Sequence, residues 1–148
     1  MATSTLLQKL DGETNFGGGT SNRRQVETFL ASGTIAAGDV VMFDTSKTGA
    51  DRVLFVLKCD VVSNGNGLCC GVALVAASAD EPVTVVVGGY AEVSTHGTVA
   101  ASNLLTAGGT SAGTVDGRVA ADIAPAFGIT LEARTGAGLV DAWIYKSF

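Results

Sequence analysis

His96, the chain's one histidine, lies in Ser94-Thr95-His96-Gly97-Thr98, where an imidazole beside hydroxyls is the pairing that nucleophilic catalysis uses. No strained strand-to-helix elbow surrounds the nearby serines, so the segment reads as a polar corner with an exposed turn histidine. Paired carboxylates are the next chemistry to test. Asp80-Glu81 precedes Pro82 in a loop, and Glu92 and Glu132 fall on outward faces of separate strands. General acid-base work needs two groups whose surroundings drive their pKa values apart, and nothing in the spacing brings any two together. Gly17-Gly18-Gly19-Thr20-Ser21 lacks the lysine that a phosphate cradle carries before its hydroxyl residue. Cys59, Cys69 and Cys70 have no Cys-x-x-Cys spacing, which argues against a zinc site shared with His96. The adjacent pair points to opposite faces of a strand, and the three thiols are expected to be reduced and buried. The expectation is no enzyme, no metal and no cofactor.

The scaffold for these residues is small and smooth. A chain of 148 residues fits one domain, and 20 of its residues are glycine. The 9 basic and 14 acidic residues give a net charge of -5, which opposes binding to a run of phosphates, so no nucleic-acid partner is expected. Apolar residues make up 47%, but no apolar run approaches the roughly 18 to 20 residues that cross a bilayer, and no membrane partner is expected. The first residues lack a charged segment followed by an apolar stretch, so no secretory signal is expected.

Residues 1–24 read as an extended Gly-rich arm, with Leu6, Leu7, Leu10 and Phe16 as anchors and Arg23-Arg24 as its basic doublet. Such a segment buries too little side chain to order itself without a partner surface. Residues 25–148 read as the β domain. Val53, Phe55, Leu57, Cys59 and Val61 share one face of a strand and are expected to point inward, with Asn64-Gly65 and Asn66-Gly67 turning the chain into a returning strand over 68–76. Further strands are expected over 83–87, 89–94, 126–133 and 139–145, and only 116–124 invites a short helix before Pro125. A small all-β barrel or sandwich follows. Gly33-Thr34-Ile35-Ala36-Ala37, Gly97-Thr98-Val99-Ala100-Ala101 and Gly113-Thr114-Val115 echo one another, and such short matches are expected to be turn corners that select the same residues. In the last strand, Val140, Ala142 and Ile144 take one face and Asp141, Trp143 and Tyr145 the other. Outward aromatics suit a protein contact, with Phe148 as a third member.

The order of these segments resembles the head decoration proteins of tailed bacteriophages, also called capsid cement or head-stabilising proteins. The likeness runs from Ser32-Gly33-Thr34-Ile35-Ala36-Ala37-Gly38-Asp39-Val40-Val41 through Cys70-Gly71-Val72-Ala73 and Val83 to Val93. It continues over Thr106-Ala107-Gly108-Gly109 and Phe127 to Ala133 to the closing strand. The resemblance implies a β-barrel-like module on the exterior of an icosahedral capsid, assembled in the host cytoplasm and seated between capsomers against internal DNA pressure. It implies the major capsid protein as partner, a homo-oligomer (dimer or trimer), and no catalysis. The arm would then lie along a neighbouring capsid subunit through Leu6, Leu7, Leu10, Phe16, Arg23 and Arg24, with Trp143, Tyr145 and Phe148 at a subunit or capsid interface. A carbohydrate- or receptor-binding module of a phage tail or fibre is the alternative, and the few aromatics weigh against it.

Overall fold

The computed structural model describes residues 24–61, 67–108, 110–119 and 125–145. Leu6, Leu7, Leu10, Phe16, Arg23 and Phe148 lie outside them. The elements are β1 (Arg24–Ala31), β2 (Val40–Phe43), α1 (Asp51–Leu54), β3 (Phe55–Lys58), β4 (Cys69–Ala73), β5 (Pro82–Thr95), β6 (Leu104–Ala107), β7 (Val115–Gly117), β8 (Gly128–Thr130) and β9 (Gly138–Ile144). The described residues are all-β apart from the single turn of α1. Strands run in the order β1-β3-β2-β4-β5-β7-β6-β8-β9, and extra pairings of β5 with β1 and with β9 close each half back on that long strand.

The two halves, residues 24–87 and 88–144, repeat one plan. The parallel pair Ala31↔Val56 recurs as Thr95↔Val115, and the antiparallel pair Val40↔Val72 recurs as Leu104↔Ile129. Thr28↔Thr84 recurs as Glu92↔Asp141, and the isolated bridge Ile35↔Ala77 as Val99↔Arg134. Turn bonds repeat too: the Gly38 N–H donates to the Ala73 carbonyl at 2.8 Å, and the Ser102 N–H to the Thr130 carbonyl at 3.0 Å. Gly38 and Ser102 both hold a positive φ, 85° and 62°. The Gly-Thr-Ile-Ala-Ala and Gly-Thr-Val-Ala-Ala segments are therefore equivalent parts of an internal duplication, which corrects the expectation that the echoes are only corners. Gly113-Thr114-Val115 is not a third copy, because it leads from a loop into β7.

β3 departs from the sequence reading for the same architectural reason. Val53 and Val61 are exposed, while Val56, from the supposed outer face, is buried in the first core. Leu57 and Cys59 pack against a second core on the other side. Apolar residues of β3 meet a core on either side, so alternation does not report which face points inward. Nor do β3 and β4 form a hairpin, since β2 lies between them and pairs with both. The segment 116–124 begins as the end of β7, not as helix, and residues 120–124 lie outside the described ones.

The first core includes Phe29, Ile35, Val41, Val56, Val83 and Val85. The second joins Val93, Val99, Leu105, Phe127, Val140 and Ile144 to Val40, Val72 and Val86 from the first half. Cys69 and Cys70 enter the second and first cores respectively, as neighbours on opposite faces of β4 must. The thiols are not all reduced: Cys59 and Cys69 are joined as a disulfide with their Cα atoms 6.1 Å apart, which corrects that expectation. The ends of β3 and β4 meet there because β2 pairs with both strands. Cys70 stays free, and burial pushes its thiol up to about 12, so it is unreactive as a nucleophile at neutral pH.

Asp44 fastens the end of β2. It accepts hydrogen bonds from Ser32 Oγ at 2.6 Å and from Ser46 through N at 3.0 Å and Oγ at 2.6 Å. These bonds, that from Ser32 first, hold its carboxyl below the usual 3.8. A depressed folded-state pKa gives stability that is present above the unfolded value and lost as pH falls through the folded one. Asp44→Asn is expected to be less stable than wild type at pH 7, with the gap closing below the ordinary carboxylate range. Urea unfolding midpoints at pH 7 and in strong acid check this, and an equal gap at both would contradict it.

Candidate functional site

β-Sheet register brings together residues that are far apart in sequence. Leu104 pairs with Ile129, Ile129 with Trp143, and Trp143 with Tyr90, so one cross-strand row runs over β6, β8, β9 and β5. Alternation turns that row outward, because Leu105, Ala142 and Ile144 beside it fill the core. Leu104 is 41% exposed and Trp143 39%, and Ile129 and Tyr90 are partly exposed between and beside them. Tyr145 extends the aromatic surface along the chain from Trp143 and is also exposed.

Arg24 closes the row. It lies in β1, not in a free arm, and its Nε donates to the Tyr90 carbonyl at 2.9 Å. Its guanidinium carbon sits 5.2 Å from the centre of the Tyr90 ring, within cation–π range. The Tyr90 hydroxyl donates to Asp141 Oδ1 at 2.8 Å. That bond to a carboxylate, reinforced by partial burial, pushes the phenol up to about 12. The hydrogen bond fixes the orientation of the ring. Glu92 faces Asp141 in the register, and Glu132 Oε1 accepts the Asp141 N–H at 3.2 Å, so an acidic border flanks the row. An apolar row with one clamped aromatic ring, Tyr90, and charged residues at its margin is equipped to bind a surface.

The residues first inspected for chemistry are scattered. His96 Nδ1 is 3.9 Å from Asp116 Oδ1 in an exposed corner. No group of three His, Cys, Asp or Glu side chains converges as a metal site among the described residues. Gly109-Thr110-Ser111-Ala112-Gly113 carries the spacing of a serine elbow, a match the sequence reading missed. Its described residues Thr110 to Gly113 precede β7, Thr114 Oγ1 donates to the Ser111 carbonyl at 2.8 Å, and a strand follows, not the helix that an elbow requires. Sequence reasoning found Trp143 and Tyr145 from the alternation of β9. It missed Leu104 and Ile129, which are ordinary strand residues until the register aligns them.

No protein-family model matches the sequence, and no curated protein matches it. Among solved structures, the head fiber gp8.5 N base of bacteriophage phi29 shares the fold, with a TM-score of 0.58 and 18% identity over 83% of this chain and 95% of that one.

Proposed function

We propose that this chain is a non-enzymatic structural protein of a phage virion. It binds the outer surface of an icosahedral head between capsomers and stabilises the shell against internal DNA pressure. The observation that carries this reading is the fold shared with a phage head fiber base along nearly the whole of that base. The outward row of Leu104, Ile129, Trp143 and Tyr90 supports a role in binding, not catalysis, and the net charge of -5 favours a protein partner over nucleic acid. The major capsid protein is the partner in this reading. Residues 1–23 act as a second attachment that raises the effective concentration of the docked domain at the shell.

Cosedimentation with mature heads that lack the protein tests the reading. Saturable binding to the matching shell, and none to unrelated particles, is expected. Failure to bind either expanded or unexpanded matching shells would overturn it, and binding to glycans alone would favour a receptor-binding module.

A further inference from the structure

The two halves share a plan but differ in what covers them. In the first half, the outward row Val40, Val72 and Val86 is buried in the cluster that holds Leu105, Phe127, Val140 and Ile144 of the second half. By the register, the equivalent row of the second half is Leu104, Ile129 and Trp143, and it is open to solvent at Leu104 and Trp143. Leu131 follows Ile129 and Leu139 precedes Trp143 at even spacing, so both continue the same outward face, and both are exposed. A contiguous apolar face of this kind marks a contact surface.

The start of β1 stands beside this face. Arg24 pairs with Gly89 in antiparallel register, so the chain enters β1 from the side of Tyr90, the end member of the row. The Arg24 side chain lies on that same residue, with Nε donating to the Tyr90 carbonyl at 2.9 Å and the guanidinium carbon 5.2 Å from the centre of the ring. Residues 1–23 therefore lead into the fold at one end of the row. The row crosses four neighbouring strands, a span of about 14 Å. An extended chain advances about 3.3 Å per residue. Phe16 precedes Arg24 by enough residues to reach the far end of the row at Leu104, and Leu6, Leu7 and Leu10 lie further up the chain. Lys9 and Arg23 balance Asp11 and Glu13, so the segment brings no net charge to a margin that holds both Arg24 and Asp141.

We propose that the occupant of this face is residues 1–23 of the same chain: in the unattached protein, Leu6, Leu7, Leu10 and Phe16 cover Leu104, Ile129 and Trp143. They give the second half the apolar cover that the first half receives from the second. Gly17-Gly18-Gly19, between Phe16 and Arg24, lets the chain turn back over the sheet, because glycine takes φ of either sign. Entry at the Tyr90 end makes the contact intramolecular and raises its effective concentration. Docking on a head exchanges this cover for capsid protein and passes residues 1–23 to their second attachment, and that exchange alone rests on the proposed function.

Trp143 is the only tryptophan, so its emission in the unmodified full chain reports directly on burial of the row. The emission is expected to stay constant over the concentrations at which sedimentation velocity shows a monomer. A full-length variant carrying Leu6→Ser, Leu7→Ser, Leu10→Ser and Phe16→Ser leaves every residue of the sheet untouched. Its emission is expected to move to the red, and acrylamide is expected to quench it about twofold more strongly, as for a ring returned to water. Leu104→Ser is expected to give a smaller red shift from the other side of the contact. Circular dichroism melts verify that each variant is folded, with Phe16→Ser alone as the milder variant.

Emission and quenching that the variants leave unchanged overturn the proposal. So does a blue shift that appears only as concentration rises, which gives the row to a second copy, or only on adding heads, which gives it to the shell. Cosedimentation of the wild-type chain with matching heads is read separately. Saturable binding with an emission that the variants do not move sinks the cover and leaves the proposed function standing, whereas a variant-sensitive emission without shell binding does the reverse.

Discussion

Replacing Gly71 by alanine is expected to cost about 3 kcal/mol of stability, at the upper end of what overpacking does in a core. A Cβ at Gly71 would overlap the Val86 carbonyl oxygen and come within 2.6 Å of Val85 Cγ1, and neither strand has room to retreat because β4 and β5 are buried on both faces. The duplication supplies a second copy of the experiment. Gly128 takes the equivalent place in β8, where a Cβ would lie 2.6 Å from the Trp143 carbonyl oxygen, and Trp143 is the equivalent of Val86. Gly128→Ala is expected to lose a comparable amount, while Gly33→Ala, which meets nothing within 4 Å, should leave the unfolding midpoint nearly unchanged. Urea unfolding of the three variants checks this, and equal midpoints for all three would refute the close strand approach.

Leu105→Ala is expected to cost about 3 kcal/mol, and Leu104→Ala, its neighbour in the chain, less than about 1 kcal/mol. Leu105 has no exposed surface and packs among Val93, Val99, Phe127 and Ile144, so truncation leaves a cavity that the surrounding strands fill only in part. Leu104 faces solvent, and its loss removes contact area from the outward row. The pair separates folding from binding on one strand: Leu105→Ala should lower the unfolding midpoint, and Leu104→Ala should weaken association with the fold intact. A reversed order of midpoints would mean that β6 presents its other face to the core.

The all-β class was legible because alternation and turn residues recur along the chain, and β9 was legible in detail because it has one buried and one solvated face. Val140, Ala142 and Ile144 are buried, and Trp143 and Tyr145 are exposed, as period two requires. β3 misled because its two faces meet two cores, so Val56 and Leu57 are both apolar for good reason. The order β3-β2-β4 was hidden for a different reason: a turn-rich segment suggests a hairpin, yet pairing with β2 is a long-range choice that local sequence does not encode. The duplication left a trace in Gly33 to Ala37 and Gly97 to Ala101, but only the shared register shows that these corners begin equivalent units. The row from Leu104 to Tyr90 depends wholly on that register. Its members come from four strands, and no window of sequence contains them together.

Electron cryomicroscopy of heads saturated with the protein tests the central claim most directly. The account predicts added density on the outside of the shell, between capsomers, into which the two-half β body fits with the Leu104, Ile129 and Trp143 row covered by protein. Shells that show no added density outside, or density only inside the shell, would contradict it.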